Sequence, residues 1–142
     1  MSDANLANIQ AAGDGRFIAI VPSGHAQVVT SNGREQGAAS PMELLLIALG
    51  TCTAIDVESI LKKKRERVTS YRVEVHGDRR EEYPKSFTKM YVRHIFRGHA
   101  LKEEAVQRAI ELSETKYCSV AATLRPTVEI VSSYTIEEEP AA

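Results

Sequence analysis

Hydrophobic and polar positions recur with different periods along the chain, and the periods mark its elements. RFIAIVP (16–22) and HAQVVTS (25–31) are short apolar runs of strand length. Ser23-Gly24 between them suits a hairpin turn. YRVEVH (71–76) alternates with Tyr71, Val73 and Val75 on one face, and FTKMYVRHIF (87–96) puts Met90, Val92 and Phe96 on one face. The charged connection DRREEYPKS separates these two, which are expected to pair as a hairpin. LKEEAVQRAIELSETKY (101–117) changes to a helical period, with Val106, Ala109, Ile110, Ser113 and Tyr117 on one stripe. CSVAATLR (118–125) reads as a short helix stopped by Pro126, and TVEIVSSYTI (127–136) as a last alternating strand. Residues 1–12 show no clear period, and EEEPAA ends the chain as a tail. Both ends, 1–12 and 138–142, are expected to be loosely ordered around a single domain spanning 1–142.

The best-marked element begins at Ser40-Pro41-Met42-Glu43. A Ser at N-cap can accept from the N3 amide, and a Glu at N3 can reach back to the N-cap amide. Pro at N1 loses nothing, because its missing N–H would be unpaired there. The pattern predicts a helix over about 41–65, roughly 36 Å long, ending in Lys62-Lys63-Lys64-Arg65 where the macrodipole favours positive charge. From Leu44 to Ala48 and from Thr53 to Ile55 it carries no charge on any side. A helix apolar all round is enclosed, and a chain of 142 residues rarely encloses one alone. A homodimer with this helix near its centre is therefore expected. The order β-β-α-β-β-α-(α)-β indicates an α+β fold with a mostly antiparallel sheet and a long central helix.

Composition narrows the function classes. Hydrophobic residues make up 43% and charged residues 26%, ordinary globular values. Net charge is −1, and aromatic residues are 6% with no Trp. Neither nucleic acid nor an anionic membrane is an expected partner on that balance. The start, MSDANLANIQAAGDG, lacks the basic and apolar parts of a signal peptide. LLLIALGTCTAI spans 12 residues, against the roughly 20 of a membrane span. A cytoplasmic location, where thiols stay reduced, is expected.

The candidate chemistry lies in two cysteines. Cys52 sits inside the apolar helix beside Gly50, Thr51 and Thr53, small neighbours that could leave open space at the sulfur. A free Cys also packs as a small hydrophobe, and that reading stands beside the reactive one. Cys118 stands at the start of the short helix, where helix N-termini stabilise thiolates, so it reads as the more acidic thiol; a packing role at the helix junction is the alternative. Arg16 and Arg34 are the arginines that could support a thiolate, though an arginine in either place is more often a solvated surface charge. Glu43 could orient such an arginine, besides serving the capping box. Two cysteines are too few for a cysteine-based zinc site. His25, His76, His94 and His99 show no metal-ligand spacing, so no metal is expected.

SPMELLLIALGTCTAIDV, followed by two strands, a helix and Cys118, resembles the OsmC/Ohr family of osmotically inducible and organic hydroperoxide resistance proteins. In that family the reactive cysteine lies 11 residues after the helix-opening proline, as 52 − 41 = 11 here. The resemblance implies an intertwined homodimer with central helices packed together. It implies a thiol peroxidase in which Cys52 attacks an organic hydroperoxide and Cys118 resolves the sulfenic acid to a disulfide, with Arg16 and Glu43 in support. A dithiol reductant would reset the pair, and the resemblance implies no metal and no bound cofactor. The chain departs from the family pattern in two places. Met42 stands where the family has Glu, and Cys118-Ser119-Val120 replaces its Cys-Pro segment. The alternative reading is a dimer that binds a small hydrophobic ligand at the subunit interface.

Overall fold

In a computed structural model of the chain, residues 3–31, 33 and 37–141 are described. Arg34 lies outside them. The chain forms two compact units, Met1–Leu45 and Leu46–Ala142. The architecture is α+β, with two three-stranded sheets and one long helix.

The first unit is an antiparallel sheet of β1 (Asn8–Gly13), β2 (Arg16–Ile20) and β3 (Ala26–Thr30). The two strands expected from sequence pair in register from Arg16↔Thr30 to Ile20↔Ala26. β1 falls in the stretch with no apolar period. All six of its residues are exposed, so backbone pairing to β2 defines it and no buried face imprints an alternation. Gly13, Asp14 and Gly15 make the turn, all with positive φ (91°, 55° and 76°), a region two glycines enter without steric cost.

Helix α1 (Pro41–Lys63) begins with the capping box its sequence specifies. The Ser40 amide donates to Glu43 Oε1 at 3.0 Å, and the Glu43 amide donates to Ser40 Oγ at 3.3 Å. Its C-terminus is closed by more than charge. Arg65 takes φ 58°, its amide donates to the Lys62 carbonyl, and the Glu66 amide donates to the Leu61 carbonyl, both at 3.0 Å. That is a Schellman closure built on arginine where glycine is usual.

In the second unit β4 (Arg67–Arg79) and β5 (Phe87–His99) form the expected hairpin, antiparallel from Arg67↔His99 to Arg79↔Phe87. β6 (Glu129–Glu138) lies beside β5 in parallel, so the chain between them crosses over the sheet through α2 (Glu103–Leu112) and α3 (Ser119–Leu124). The tail is tied down up to Glu139. Glu138 accepts from the Ala100 amide, and Glu139 pairs with Arg97 at 2.9 Å.

The core lies between α1, β5 and α2. Val57, Leu61, Phe96, Val106, Ala109 and Ile110 are buried together. Each large apolar side chain there contributes about 1.5–3 kcal/mol by leaving water. Gly50 sits where α1 meets β4, and a Cβ there would stand 2.8 Å from Val75 Cγ2. The small residue thus admits the strand. By length and composition α1 would also suit a membrane span; here Leu49, Gly50, Thr53, Val57 and Leu61 form its buried face. Ile47 and Ile55 on its other side remain 55% and 65% exposed in the single chain.

Candidate functional site

The site is built within the second unit from α1 and the α2–α3 junction. Cys52 is half-buried on α1. Asp56 follows it by one helical turn, and residues four apart share a helix face. The opposing wall is an irregularity. After Leu112 the chain widens into a π-helical turn, Ser113–Tyr117, closed by the Cys118 amide donating to the Ser113 carbonyl at 2.8 Å. Such turns are rare and concentrate at functional sites. This one carries Tyr117 off the apolar stripe, leaving it 50% exposed, and delivers Cys118 to the N-cap of α3.

The sulfurs of Cys52 and Cys118, 66 residues apart in sequence (118 − 52), come together beside the Asp56 carboxylate. One ligand atom from each of the three lies within 4.8 Å of the other two. Both cysteines are free. Ser113 is fully buried and secures the carboxylate: its Oγ lies 2.9 Å from Asp56 Oδ2 and 2.9 Å from Thr53 Oγ1. A hydroxyl has one proton, so Ser113 donates to the carboxylate and accepts from Thr53.

Cys118 is less acidic than its place at a helix start suggests. The Ala121 amide donates to its Sγ at 3.3 Å, as a helix N-terminus should. Burial outweighs that bond, and the neighbouring Cys52 and Asp56 add to it, so the thiol is pushed up to about 11. The expectation of an acidic Cys118 fails because it counted the helix end and not the desolvation.

The other two candidates belong to the first unit. Arg16 opens β2, and Glu43 serves the capping box. Asp56, Ser113 and Thr53 were not assigned to the site from sequence, where Ser113 read as part of an apolar stripe and Thr53 as a small neighbour of Cys52. The i, i+4 spacing of Cys52 and Asp56 in CTAID was a readable signal; the Ser113 contact depends on the π-helical turn and was not.

Beside Asp56 opens a cleft of about 450 Å³, walled by Ile55, Ile60, Leu112 and Tyr117, with Lys63 and Lys64 also lining it. A second cleft of about 440 Å³ runs between α1 and β4 past Ile47, Gly50, Ala54, Val73 and Val75.

Comparisons with known proteins agree with this architecture. The sequence profile of the family described as OsmC-like protein matches residues 33–133. The chain is similar to protein YhfA of Escherichia coli K12, 44% identical over 120 residues, which cover 84% of this chain and 89% of YhfA. Among solved structures, a hypothetical protein from Aquifex aeolicus superposes with a TM-score of 0.85 at 29% identity, covering 95% of this chain and 97% of that one. The organic hydroperoxide resistance protein OhrB of Bacillus subtilis shares the fold, with a TM-score of 0.60 at 16% identity over 92% of this chain and 98% of OhrB.

Proposed function

The chain belongs to the OsmC-like protein family, which includes hydroperoxide-reducing enzymes, and from that premise we propose that it is a cytoplasmic thiol peroxidase acting on organic hydroperoxides. One observation carries the reading: two free cysteine sulfurs from distant parts of the sequence lie within 4.8 Å of each other. That separation suits disulfide closure by side-chain rotation.

The Cys52 thiolate attacks one oxygen of ROOH. The O–O bond breaks, the departing alkoxide takes a proton to give ROH, and Cys52 becomes a sulfenic acid. The Cys118 thiol then attacks the Cys52 sulfur, and hydroxide leaves with the thiol proton as water. A dithiol reductant returns the disulfide to two thiols by exchange. Burial supports this order. Cys52 is partly open to an incoming oxidant, whereas Cys118 is 4% exposed and held protonated, as befits the resolving thiol. We also propose that two chains pair through the face of α1 that carries Ile47, Thr51 and Ile55. The Thr51 hydroxyl donates to the Ile47 carbonyl at 2.7 Å, so this face presents little unmet polarity.

The test is titration of reduced protein with cumene hydroperoxide, followed by mass spectrometry. The expected product has lost two hydrogens and links the Cys52 and Cys118 peptides. Turnover with a dithiol should vanish in Cys52→Ser. Turnover retained in that variant overturns the assignment.

The cleft between α1 and β4 favours a second reading, a carrier of a small apolar ligand. It would show ligand-dependent stabilisation and no peroxide consumption above a Cys52→Ala/Cys118→Ala variant.

A further inference from the structure

We propose that the reduced Cys52/Asp56/Cys118 cluster is a binding site for a thiophilic divalent cation, Zn²⁺ above others, and that metal occupancy and disulfide formation exclude one another. The proposal rests on the geometry of the three side chains and stands whether or not the pair reduces peroxides.

Two cysteines alone fall short of a zinc site, and Asp56 supplies the third ligand. Thiolate sulfur and carboxylate oxygen are both ordinary zinc donors, and three protein ligands leave a fourth position for water. In a tetrahedral site with Zn–S near 2.3 Å the sulfurs stand about 3.8 Å apart. The three donor atoms already lie within 4.8 Å of one another. Small side-chain rotations, about 1 Å at most, bring them to that spacing. The carboxylate is also oriented as ligating carboxylates are, by an outer hydrogen bond: Ser113 Oγ at 2.9 Å, itself backed by Thr53. Asp56 lines the cleft of about 450 Å³, which gives an ion its way in. Lys63 and Lys64 along that cleft slow the approach of a free dication without closing the route.

Charge supplies the driving force. With both thiols ionised the cluster carries three negative charges at close range, an arrangement a half-buried site resists. Among the described residues no Lys, Arg or His is ion-paired with Asp56. A Zn²⁺ at the centre reduces the sum to −1, and two protons leave as it binds. Oxidation reverses this with balanced stoichiometry: the zinc dithiolate, ROOH and two protons give the disulfide, Zn²⁺, ROH and water. The disulfide sulfurs are no longer thiolates and release the ion.

The experiment uses Co²⁺ as a spectroscopic probe on the full-length, metal-free, reduced protein. One Co²⁺ per chain should bind with a thiolate-to-cobalt charge-transfer band and the intense visible bands of tetrahedral cobalt, and Zn²⁺ should displace it. The diamide-oxidised protein should show neither band. Cys52→Ser and Cys118→Ser should each lose most of the charge-transfer intensity. Asp56→Asn, folded by circular dichroism, should bind Co²⁺ at least about 10-fold more weakly, and Ser113→Ala about 10-fold more weakly or worse. Absence of a thiolate band in the reduced protein overturns the proposal. So does Asp56→Asn affinity equal to that of the parent, which would reveal a plain dithiol chelator. A cobalt site in a protein inert to cumene hydroperoxide would sink the peroxidase reading and leave this one standing.

Discussion

The Tyr71 hydroxyl lies 2.7 Å from Nδ1 of His94, inside a stack in which the rings of Tyr71, Phe96 and His94 are within 9° of parallel. His94 is fully buried on the core face of β5, and burial lowers its pKa from 6.5 to about 4. Its neutral form therefore holds the fold together above pH 6.5. As pH falls from 6.5 towards 4 the unfolded chain takes up a proton that the folded chain refuses, and stability is lost. The loss reaches about 3 kcal/mol near pH 4, at about 1.4 kcal/mol per unit. Urea unfolding at several pH values should show it, and His94→Gln should flatten the dependence. An equal slope in the variant would reject this account.

Cys118 should be sluggish as a free nucleophile. Cys52→Ala removes the neighbouring thiol's push and leaves burial, the largest cause. In that variant the reaction of Cys118 with iodoacetamide at pH 8 should run at least about 10-fold below that of an exposed thiol, because the thiolate is the reacting form, and the rate should still be climbing above pH 9. A plateau by pH 9 would show that burial has been overrated.

Gly50→Ala sets two effects against each other. Alanine gains about 1 kcal/mol of helix propensity. Its Cβ would meet Val75 Cγ2 at 2.8 Å, and overpacking typically costs about 1–3 kcal/mol. The substitution should therefore destabilise the fold, and Val75→Ala in the same chain should restore most of the loss. A stabilised single variant would mean the strand yields freely.

Arg65→Gly should raise stability by about 0.5–1 kcal/mol, because glycine takes the left-handed conformation at φ 58° without a Cβ clash. Thermal unfolding reads this directly, and a lowered midpoint would contradict it.

Ile55→Glu places a charge on the exposed face of α1, where Ile55 is 65% exposed in the single chain. On the proposed pairing it should convert the protein to monomer in light scattering at micromolar concentration, with the far-ultraviolet spectrum kept. A monomeric parent protein would remove the pairing itself.

Where a segment's residues decide its structure by themselves, the sequence was sufficient. Ser40 and Glu43 cap α1 as their types require, and Tyr71, Val73 and Val75 alternate inward on β4. Where structure depends on a distant partner it was not. β1 is held by pairing to β2, β6 is parallel because of the crossover, and Tyr117 leaves its stripe through one wide turn. The site divides the same way. Cys52 and Cys118 could be marked, and their meeting was implied by resemblance. Asp56 shares a face of α1 with Cys52 and was legible in that spacing, whereas Cys118 and Ser113 join them only through packing between α1 and the α2–α3 junction. The acidity of Cys118 was misjudged because a linear reading weighs the helix end and cannot weigh the water removed.

The parallel seating of β6 on β5 has a consequence for biosynthesis. β6 is the last element of the chain, and its pairing on β5 anchors the far end of the segment that carries α2, the π-helical turn and Cys118. At about 5–20 residues per second the ribosome needs roughly 4–17 s to add the 86 residues from Cys52 to the end of β6 at Glu138 (138 − 52). For that interval a nascent Cys52 stands without a resolving neighbour, so a sulfur oxidised at that stage meets small-molecule thiols first.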